Sequence, residues 1–179
     1  MLSFELSFLD FLQEHLRCGF LDAVVPVVTK LGDYGVLWIL LTIVLLAFPK
    51  TRKAGLATAC ALLLELLLCN LLIKPLVARE RPYTYRELQL LIPSLKDYSF
   101  PSGHTAASFA VSSALFFRKN RLWIPVFALS VLLGFTRLYL YVHFPSDVLC
   151  GALLGVLVGF LGCLLANRLE KLWAGRLRA

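Results

Sequence analysis

Five apolar runs dominate the chain, at residues 31–49, 54–73, 102–117, 122–142 and 148–166. A helix needs roughly 20 apolar residues to cross the hydrocarbon core of a bilayer, and the third run is a little short of that length. Only helices and closed barrels satisfy their backbone polar groups inside lipid. The pattern therefore predicts an all-α fold, a polytopic transmembrane helix bundle with five spans.

Basic residues cluster in two connections, at 50–53 and 118–121, and after the fifth run, at 168–178. Five alternating spans put all three clusters on one face, which the positive-inside rule makes cytoplasmic. The polar segments 74–100, 101–104 and 137–147 then emerge at the opposite face, where residues 83–100 form an extracytoplasmic loop. Close packing of the spans is expected to bring these segments together, within a single membrane-embedded domain of residues 1–179.

The first 30 residues allow two arrangements. Phe4, Phe8, Phe11, Leu12 and Leu16 share one helical face, which predicts an amphipathic helix lying in the membrane interface. Residues 20–31 are apolar but short, and they form either a second interfacial helix or part of a sixth span. Five spans place the N-terminus outside, and six place it inside.

The composition agrees with a membrane protein. Hydrophobic residues make up 59% of the 179 residues and charged residues 16%, against about 45–50% and about 25% in soluble domains. The net charge of +7 lies in connections and not in a soluble basic domain, so no nucleic-acid partner is expected. The five cysteines include no CxxC pair, which argues against a zinc site or a disulfide framework.

Three cations, Lys74, Arg79 and Arg81, follow the second apolar run. Lys74 and Arg81 are seven residues apart, so a helix that continues for two turns places both on one face. Pro82 would help to end that helix. Taken alone, the segment is also typical of a basic patch that meets lipid headgroups.

The segment 100–105 reads Phe-Pro-Ser-Gly-His-Thr and precedes the third apolar run. Ser102 is expected to act as the N-cap, and Gly103 lets a ligand approach the backbone. The free N–H groups of a helix start bind anions, and His104 in that first turn can donate a proton to a bound oxyanion. The alternative is an ordinary cap beside an interfacial histidine.

The third segment carries Arg137, His143, Pro145 and Asp147. Pro145 suits the first position of the fifth helix, which puts Asp147 in its first turn near His143. A carboxylate bonded to one imidazole nitrogen fixes the tautomer and leaves the other nitrogen free as a nucleophile. An aspartate cap beside an interfacial histidine is the simpler alternative.

Together, the three segments predict a phosphate site. Phosphoryl transfer needs cations around the phosphate oxygens, an in-line nucleophile and an acid for the leaving group. The acidic residues near these segments are too scattered to suggest a two-metal centre. We therefore expect neither a metal ion nor another cofactor.

The spacing resembles the three-part pattern of the type 2 phosphatidic acid phosphatase (PAP2) superfamily, whose members include integral-membrane lipid phosphatases. The matching elements are Lys74-x6-Arg81-Pro82, Pro101-Ser102-Gly103-His104 and Thr136-Arg137-x5-His143-x3-Asp147. The resemblance extends over roughly residues 30–165. Thr136 stands where the family usually has serine. Because the hydroxyl is kept, we expect a change in activity and not its loss.

The resemblance implies a role for each matching residue. His143 attacks phosphorus and forms a phosphohistidine, Asp147 orients His143, and His104 protonates the leaving group and then activates water. The phosphate oxygens are bound by Lys74, Arg81, Ser102, Gly103 and Arg137. No metal is needed.

The expected function is a metal-independent lipid phosphate phosphatase in a bacterial inner membrane, with its site on the extracytoplasmic side. Candidate substrates are undecaprenyl pyrophosphate, phosphatidylglycerophosphate, phosphatidic acid and lipid A phosphates. The alternative is a non-catalytic phospholipid-binding or transport protein that uses the same cationic site. Haloperoxidase chemistry on this site is a more remote alternative. The oligomeric state is left open.

Three further features carry expectations. Glu65 lies within the second apolar run and is expected to make a protonated or hydrogen-bonded contact between helices. Gly151, Gly155 and Gly159 form a stripe of small residues that should pack the fifth span against another helix of this chain. The alternative is that the stripe marks a dimer face. Residues 86–95 are expected to form a short helix that covers the site.

Overall fold

The protein is described from a computed structural model, which covers residues 2–176. This part of the chain contains helices and no strand. The α-helices are α1 (Leu2–Leu16), α2 (Gly19–Thr29), α3 (Val36–Ala47), α4 (Arg52–Glu65), α5 (Lys74–Val77), α6 (Gly103–Phe117), α7 (Trp123–Tyr139) and α8 (Pro145–Arg176), and a π-helical segment (Leu66–Ile73) joins α4 to α5. The predicted all-α bundle is confirmed.

Each of the five expected spans coincides with a helix, namely α3, α4, α6, α7 and α8. Three stretches of the described chain are long and apolar enough to cross a membrane, Gly19–Ala47, Arg52–Tyr85 and Pro145–Trp173. The other two helices are shorter, with 15 residues in α6 and 17 in α7. Many large apolar side chains point outwards from this bundle, as expected of a surface that faces lipid.

Helix α6 lies at the centre of the bundle and packs against α8, α7, α4 and α3. Ten of its 15 residues are buried, and many of these are alanine or serine. At 1.5 Å per residue the helix is about 22 Å long, which is shorter than the hydrocarbon core. Because protein surrounds most of α6, the helix needs neither full length nor high hydropathy.

The glycine stripe of α8 is what allows α6 to approach so closely. A Cβ atom on Gly155 would lie 2.6 Å from the Ala106 carbonyl oxygen, and one on Gly151 would lie 2.7 Å from the Ser102 carbonyl oxygen. Gly159 meets α6 one turn further along. The expected packing within one chain is confirmed, and it ties the start of α8 to the start of α6.

Residues 19–35, before the first span, match neither expected arrangement fully, that is, neither a separate interfacial helix nor part of a sixth span. Helix α2 runs into α3 through a 3₁₀ turn (Lys30–Gly35) that is kinked at Asp33 and Tyr34. Asp33 has an extended backbone, whereas Tyr34 and Gly35 both adopt left-handed conformations, with φ of +53° and +66°. Residues 19–30 thus belong to the same apolar stretch as the first span.

The amphipathic helix α1 is present, but its faces differ from the prediction. Leu6, Leu9 and Leu12 pack against Tyr141 and Phe144 at the junction of α7 and α8. The three phenylalanines of α1 stay exposed. The placement of Leu12 among the membrane-facing residues was wrong, because its side chain is buried against protein instead.

The long connection between α5 and α6 contains one short 3₁₀ helix (Pro82–Tyr85). Residues 86–100 form turns and extended chain. The expected covering helix at 86–95 is therefore wrong. Residues 94–97 nevertheless line the cavity that is described next, so this connection covers the site without forming a helix.

Candidate active site

A cavity of about 900 Å³ opens where the start of α5, the start of α6 and the α7–α8 junction meet. Six of the eight predicted site residues line it: Lys74, Arg81, Gly103, His104, Arg137 and His143. The other two, Ser102 and Asp147, are fully buried beside it. The structure therefore brings together residues from three segments that are far apart in the sequence.

Lys74 and Arg81 converge, but not through a continuous helix. Helix α5 ends at Val77, Ala78 turns the chain with a left-handed φ of +48°, and Arg81 has an extended backbone. The prediction of one helical face was wrong, because the helix ends before Arg81. The reversal at Ala78 brings the guanidinium back towards the ammonium group instead.

The carboxylate of Asp97 lies between these two cations. It forms ion pairs with Lys74 and with Arg81, whose Nη2 donates a hydrogen bond of 2.7 Å. Burial alone would raise the pKa of Asp97, but the hydrogen bonds and charges of Lys74 and Arg81 outweigh it and lower the pKa to about 2. An anionic group thus occupies the position that the sequence assigns to phosphate.

The start of α6 presents Gly103 to the cavity. A Cβ atom there would lie 3.0 Å from Oδ1 of Asn70 and 3.8 Å from Nζ of Lys74, so a larger residue would intrude on the cationic wall. Ser102 precedes the helix, but its side chain does not cap the backbone. Its hydroxyl pairs with that of Thr105 at 2.9 Å, and its expected phosphate contact stays a prediction.

His104 has a carboxylate partner that the sequence analysis did not identify. Its Nε2 lies 3.0 Å from Oδ1 of Asp33, in the kinked turn between α2 and α3. Gly32 of the same turn lies against the ring, where a Cβ atom would be 2.5 Å from Cδ2. One turn of the chain therefore contacts the imidazole both at its nitrogen and at its carbon edge.

Arg137, in the last turn of α7, is almost completely buried. Its Nη1 donates a hydrogen bond of 2.8 Å to the hydroxyl of Thr29, and its Nε is buried without a hydrogen-bond partner among the described residues. A buried donor without a partner is costly. The guanidinium nevertheless lines the adjacent cavity.

His143 and Asp147 lie at the junction of α7 and α8. Nδ1 of His143 is 3.5 Å from Oδ2 of Asp147, and Nε2 faces the cavity 3.3 Å from Nη1 of Arg81. Complete burial lowers the pKa of His143 well below its usual value, and the charges of Arg81, Arg137 and Lys74 lower it further. The free imidazole is therefore neutral at physiological pH, with a lone pair available.

Asp147 is held by several donors besides the histidine. The Ser99 hydroxyl and the Phe144 backbone N–H both donate to Oδ2, and Arg79 pairs with Oδ1. Arg79 in turn pairs with Glu5 of α1 at 2.6 Å. Arg79 thus supports the carboxylate and does not line the cavity.

Sequence reasoning missed four residues of this arrangement, namely Glu5, Asp33, Asp97 and Ser99. Only Asp33 carried a local signal, since it lies between two glycines in a turn that interrupts apolar sequence. The prediction for Glu65 was partly wrong. Its Oε1 accepts a hydrogen bond of 3.0 Å from Asn70 in the same helical stretch, not in another helix.

Comparison with known proteins agrees with this geometry. Residues 53–171 match the family model of the PAP2 superfamily. Undecaprenyl-diphosphatase BcrC of Bacillus subtilis (strain 168) is 31% identical over 145 residues, which are 79% of this chain and 72% of that protein. The matched residues 53–171 contain all three segments of the site.

Two crystal structures have the same fold. That of Aquifex aeolicus LpxE matches with a TM-score of 0.75 and 30% identity, over 88% of this chain and 93% of that one. That of a transmembrane PAP2 type phosphatidylglycerolphosphate phosphatase from Bacillus subtilis matches with a TM-score of 0.74 and 27% identity, over 93% of this chain and 86% of that one. The chain is an integral-membrane phosphatase and belongs to the PAP2 superfamily.

Proposed function

We propose that this membrane lipid phosphatase works through a phosphohistidine, with His143 as nucleophile and His104 as acid and base. One observation carries the proposal. Nε2 of His143 faces a cavity lined by Lys74, Arg81 and Arg137, while Nδ1 lies beside the carboxylate of Asp147. A neutral imidazole that is oriented by a carboxylate and surrounded by cations is suited to attack a phosphate group.

The cations bind and polarise the headgroup. Lys74, Arg81 and Arg137 neutralise the phosphate oxygens, and the N–H groups at the start of α6 near Gly103 add hydrogen bonds. Ser102 completes this phosphate-binding set. The phosphate displaces the carboxylate of Asp97.

Chemistry then proceeds in two steps. Nε2 of His143 forms a bond to phosphorus as the bond to the leaving oxygen breaks, and His104 gives that oxygen a proton. Asp147 stabilises the positive charge that develops on the His143 ring. In the second step His104 takes a proton from water, whose oxygen attacks phosphorus and releases inorganic phosphate and neutral His143.

The proposed substrate is a phosphate or diphosphate with a long lipid tail. Beyond the cations the cavity extends between α3 and α4, where Ile39, Leu62, Leu63 and Leu66 line it. An apolar groove beside a cationic headgroup site suits a lipid that stays partly in the bilayer. Undecaprenyl pyrophosphate is the first substrate to test, since a relative is named for its hydrolysis. Phosphatidylglycerophosphate, phosphatidic acid and lipid A phosphates follow.

The proposed location is the inner membrane of a bacterium, with the cavity at the extracytoplasmic face. The basic residues of the two connections, and those of the last turns of α8 up to Arg176, lie at the opposite ends of the helices from the three site segments. The positive-inside rule then supports this orientation. A reporter enzyme that works only in the cytoplasm should therefore be active when it is fused to the connection between α6 and α7.

The experiment is phosphate release by the purified protein in detergent from each of the four lipids, with EDTA and vanadate as additions. His143→Ala should lower the rate by at least about a thousandfold. Labelled enzyme should be quenched in alkali, because phosphohistidine persists there. His15→Ala is the matched control, because His15 is exposed on α1 and, among the residues that the structure describes, bonds only the Phe11 carbonyl of its own helix.

Two outcomes would contradict the proposal. Turnover by His143→Ala at the wild-type rate would remove His143 as the nucleophile. Tight binding of the lipids by folded wild-type protein without any phosphate release would favour the alternative, a non-catalytic binding or transport protein.

A further inference from the structure

The kinked turn between α2 and α3 reaches the cavity from outside the three segments that define the site. It contributes Asp33, whose Oδ1 is 3.0 Å from Nε2 of His104. We infer that Asp33 is a positioning residue for His104, selecting the ring orientation and tautomer in which His104 exchanges protons with the leaving group and with water. This inference rests on the proposed role of His104.

The backbone of the turn directs the carboxylate inwards. Asp33 is extended, and the left-handed conformations of Tyr34 and Gly35 reverse the chain immediately afterwards. A left-handed tyrosine is unfavourable and persists only where the surrounding structure requires it. Backbone strain of this kind is concentrated at functional positions, and here it accompanies the contact between Asp33 and His104.

The same turn fixes the ring in a second way. Gly32 leaves no room for a Cβ atom, which would lie 2.5 Å from Cδ2 of His104. Cδ2 and Nε2 form one edge of the imidazole, and both face this turn. Nδ1, on the opposite edge, has no hydrogen-bond partner within the described part of the chain, and it is the nitrogen that we assign to proton transfer.

The charges around His104 explain why a carboxylate is needed. Arg137 of α7, Lys74 of α5 and Arg81 all line the same cavity, and a protonated imidazole beside them is repelled. The other nearby carboxylate, Asp97, is paired with Lys74 and Arg81. Asp33 is the acid in direct contact with His104. Neutral His104 takes a second proton on Nδ1 from the incoming phosphate monoanion, and Asp33 offsets the repulsion of the ring in this charged form. The Nδ1 proton then passes to the leaving oxygen, and the proton on Nε2 stays in the Asp33 hydrogen bond.

The experiment separates proton donation from structural support through the leaving group. An alkyl phosphate needs a proton on its leaving oxygen, whereas 4-nitrophenyl phosphate needs little help because its leaving group is already a weak base. For Asp33→Asn we expect kcat/KM to fall by about 10–100-fold for a long-chain alkyl phosphate. With 4-nitrophenyl phosphate, kcat/KM should change little.

Two variants complete the design. Asp33→Glu, which keeps the carboxylate, should recover part of the alkyl phosphate activity. Asp22→Asn is the matched control, because Asp22 lies on α2 and bonds Tyr139 and Arg17 away from the cavity, and it should keep the wild-type dependence on the leaving group. Equal losses of kcat/KM for both substrates, or no loss for either, would overturn the inference.

A second measurement requires no turnover and therefore distinguishes failure of Asp33 from failure of the proposed phosphatase mechanism. The chain has three histidines, so ¹⁵N-histidine NMR of the full-length protein in detergent can be assigned with single substitutions. In the wild type, neutral His104 should carry its proton on Nε2, and Asp33→Asn should reduce that preference. An unchanged tautomer in Asp33→Asn, or a wild-type ring protonated on Nδ1, would overturn the inference even if no substrate is found.

Discussion

The carboxylate of Asp97 is the group that an incoming phosphate must displace, so its removal provides a direct test of the anion site. Asp97→Asn keeps the shape of the side chain and removes its charge. Lys74 and Arg81 then lose their ion-pair partner. We expect phosphate and vanadate to bind more tightly to this variant, because the two cations no longer have to release a carboxylate.

The size of the effect follows from the pKa of Asp97. Its fall from 3.8 to about 2 corresponds to about 2.5 kcal/mol of preference for the charged form. The side chain is 54% exposed, so solvent screening reduces the usable part to about 1 kcal/mol. Anion binding should therefore tighten about fivefold.

The measurement is the inhibition constant of vanadate, with inorganic phosphate titrated calorimetrically as a second readout. Glu87→Gln is the matched control, since Glu87 lies exposed on the same connection and makes no ion pair in the described part of the protein. It removes the same charge and should leave the inhibition constant unchanged. Weaker vanadate binding by Asp97→Asn would refute the reasoning and show that Asp97 holds the cations in place for phosphate.

The pH dependence has a definite sign. A depressed carboxyl pKa means that the ion pairs form fully above the usual value of 3.8 and are lost only as the pH falls through about 2. The advantage of Asp97→Asn should therefore be constant from roughly pH 5 to 8. A variant that loses its advantage within this range would show that another group controls the displacement.

Three further predictions concern the support of the site. Glu5→Gln should lower the thermal unfolding midpoint and kcat, because Glu5 pairs with Arg79 and accepts a hydrogen bond from the Ser146 backbone N–H. Hydrogen bonds to charged groups contribute about 1.5–3 kcal/mol, and an unchanged kcat would show that α1 does not affect catalysis. Gly155→Ala should destabilise the protein by about 1–3 kcal/mol. Gly19→Ala should not, because no atom lies within 4 Å of the new Cβ. Equal unfolding midpoints for the two variants would contradict the close packing of α6 and α8. Thr136→Ser should stay active with a changed turnover, whereas Thr136→Val should lose most of its activity, because the hydroxyl bonds the Leu133 carbonyl; wild-type turnover by Thr136→Val would show that the hydroxyl is dispensable.

The sequence predicted the helices well where hydropathy alone decides the structure. The five spans were found because a lipid-facing helix needs apolar residues at nearly every position. Helix ends were predicted less well, since they depend on local contacts. Helix α8 continues to Arg176, about ten residues beyond the apolar run, and Arg118 pairs there with Glu170 at 2.7 Å.

Polar residues near the site divide into two groups. His143 and Asp147 were predicted as partners because they are four residues apart at a helix start, and such contacts are encoded locally. Glu5 and Asp33 were missed, since each meets a partner more than 70 residues away. A lone acidic residue in a helix or turn has the same sequence appearance whether its partner is water or a buried arginine.

By itself, the sequence determined the all-α membrane bundle, the family and the residues that meet at one membrane face. These conclusions depend on hydropathy, on the alternation of the spans and on three short motifs, all of which are local properties. Only the tertiary structure decided how Lys74 and Arg81 converge, that Asp97 occupies their anion site, and that Asp33 contacts His104. Those contacts depend on a chain reversal at Ala78 and a kink beside Tyr34, where packing between distant segments overcomes the local backbone preference.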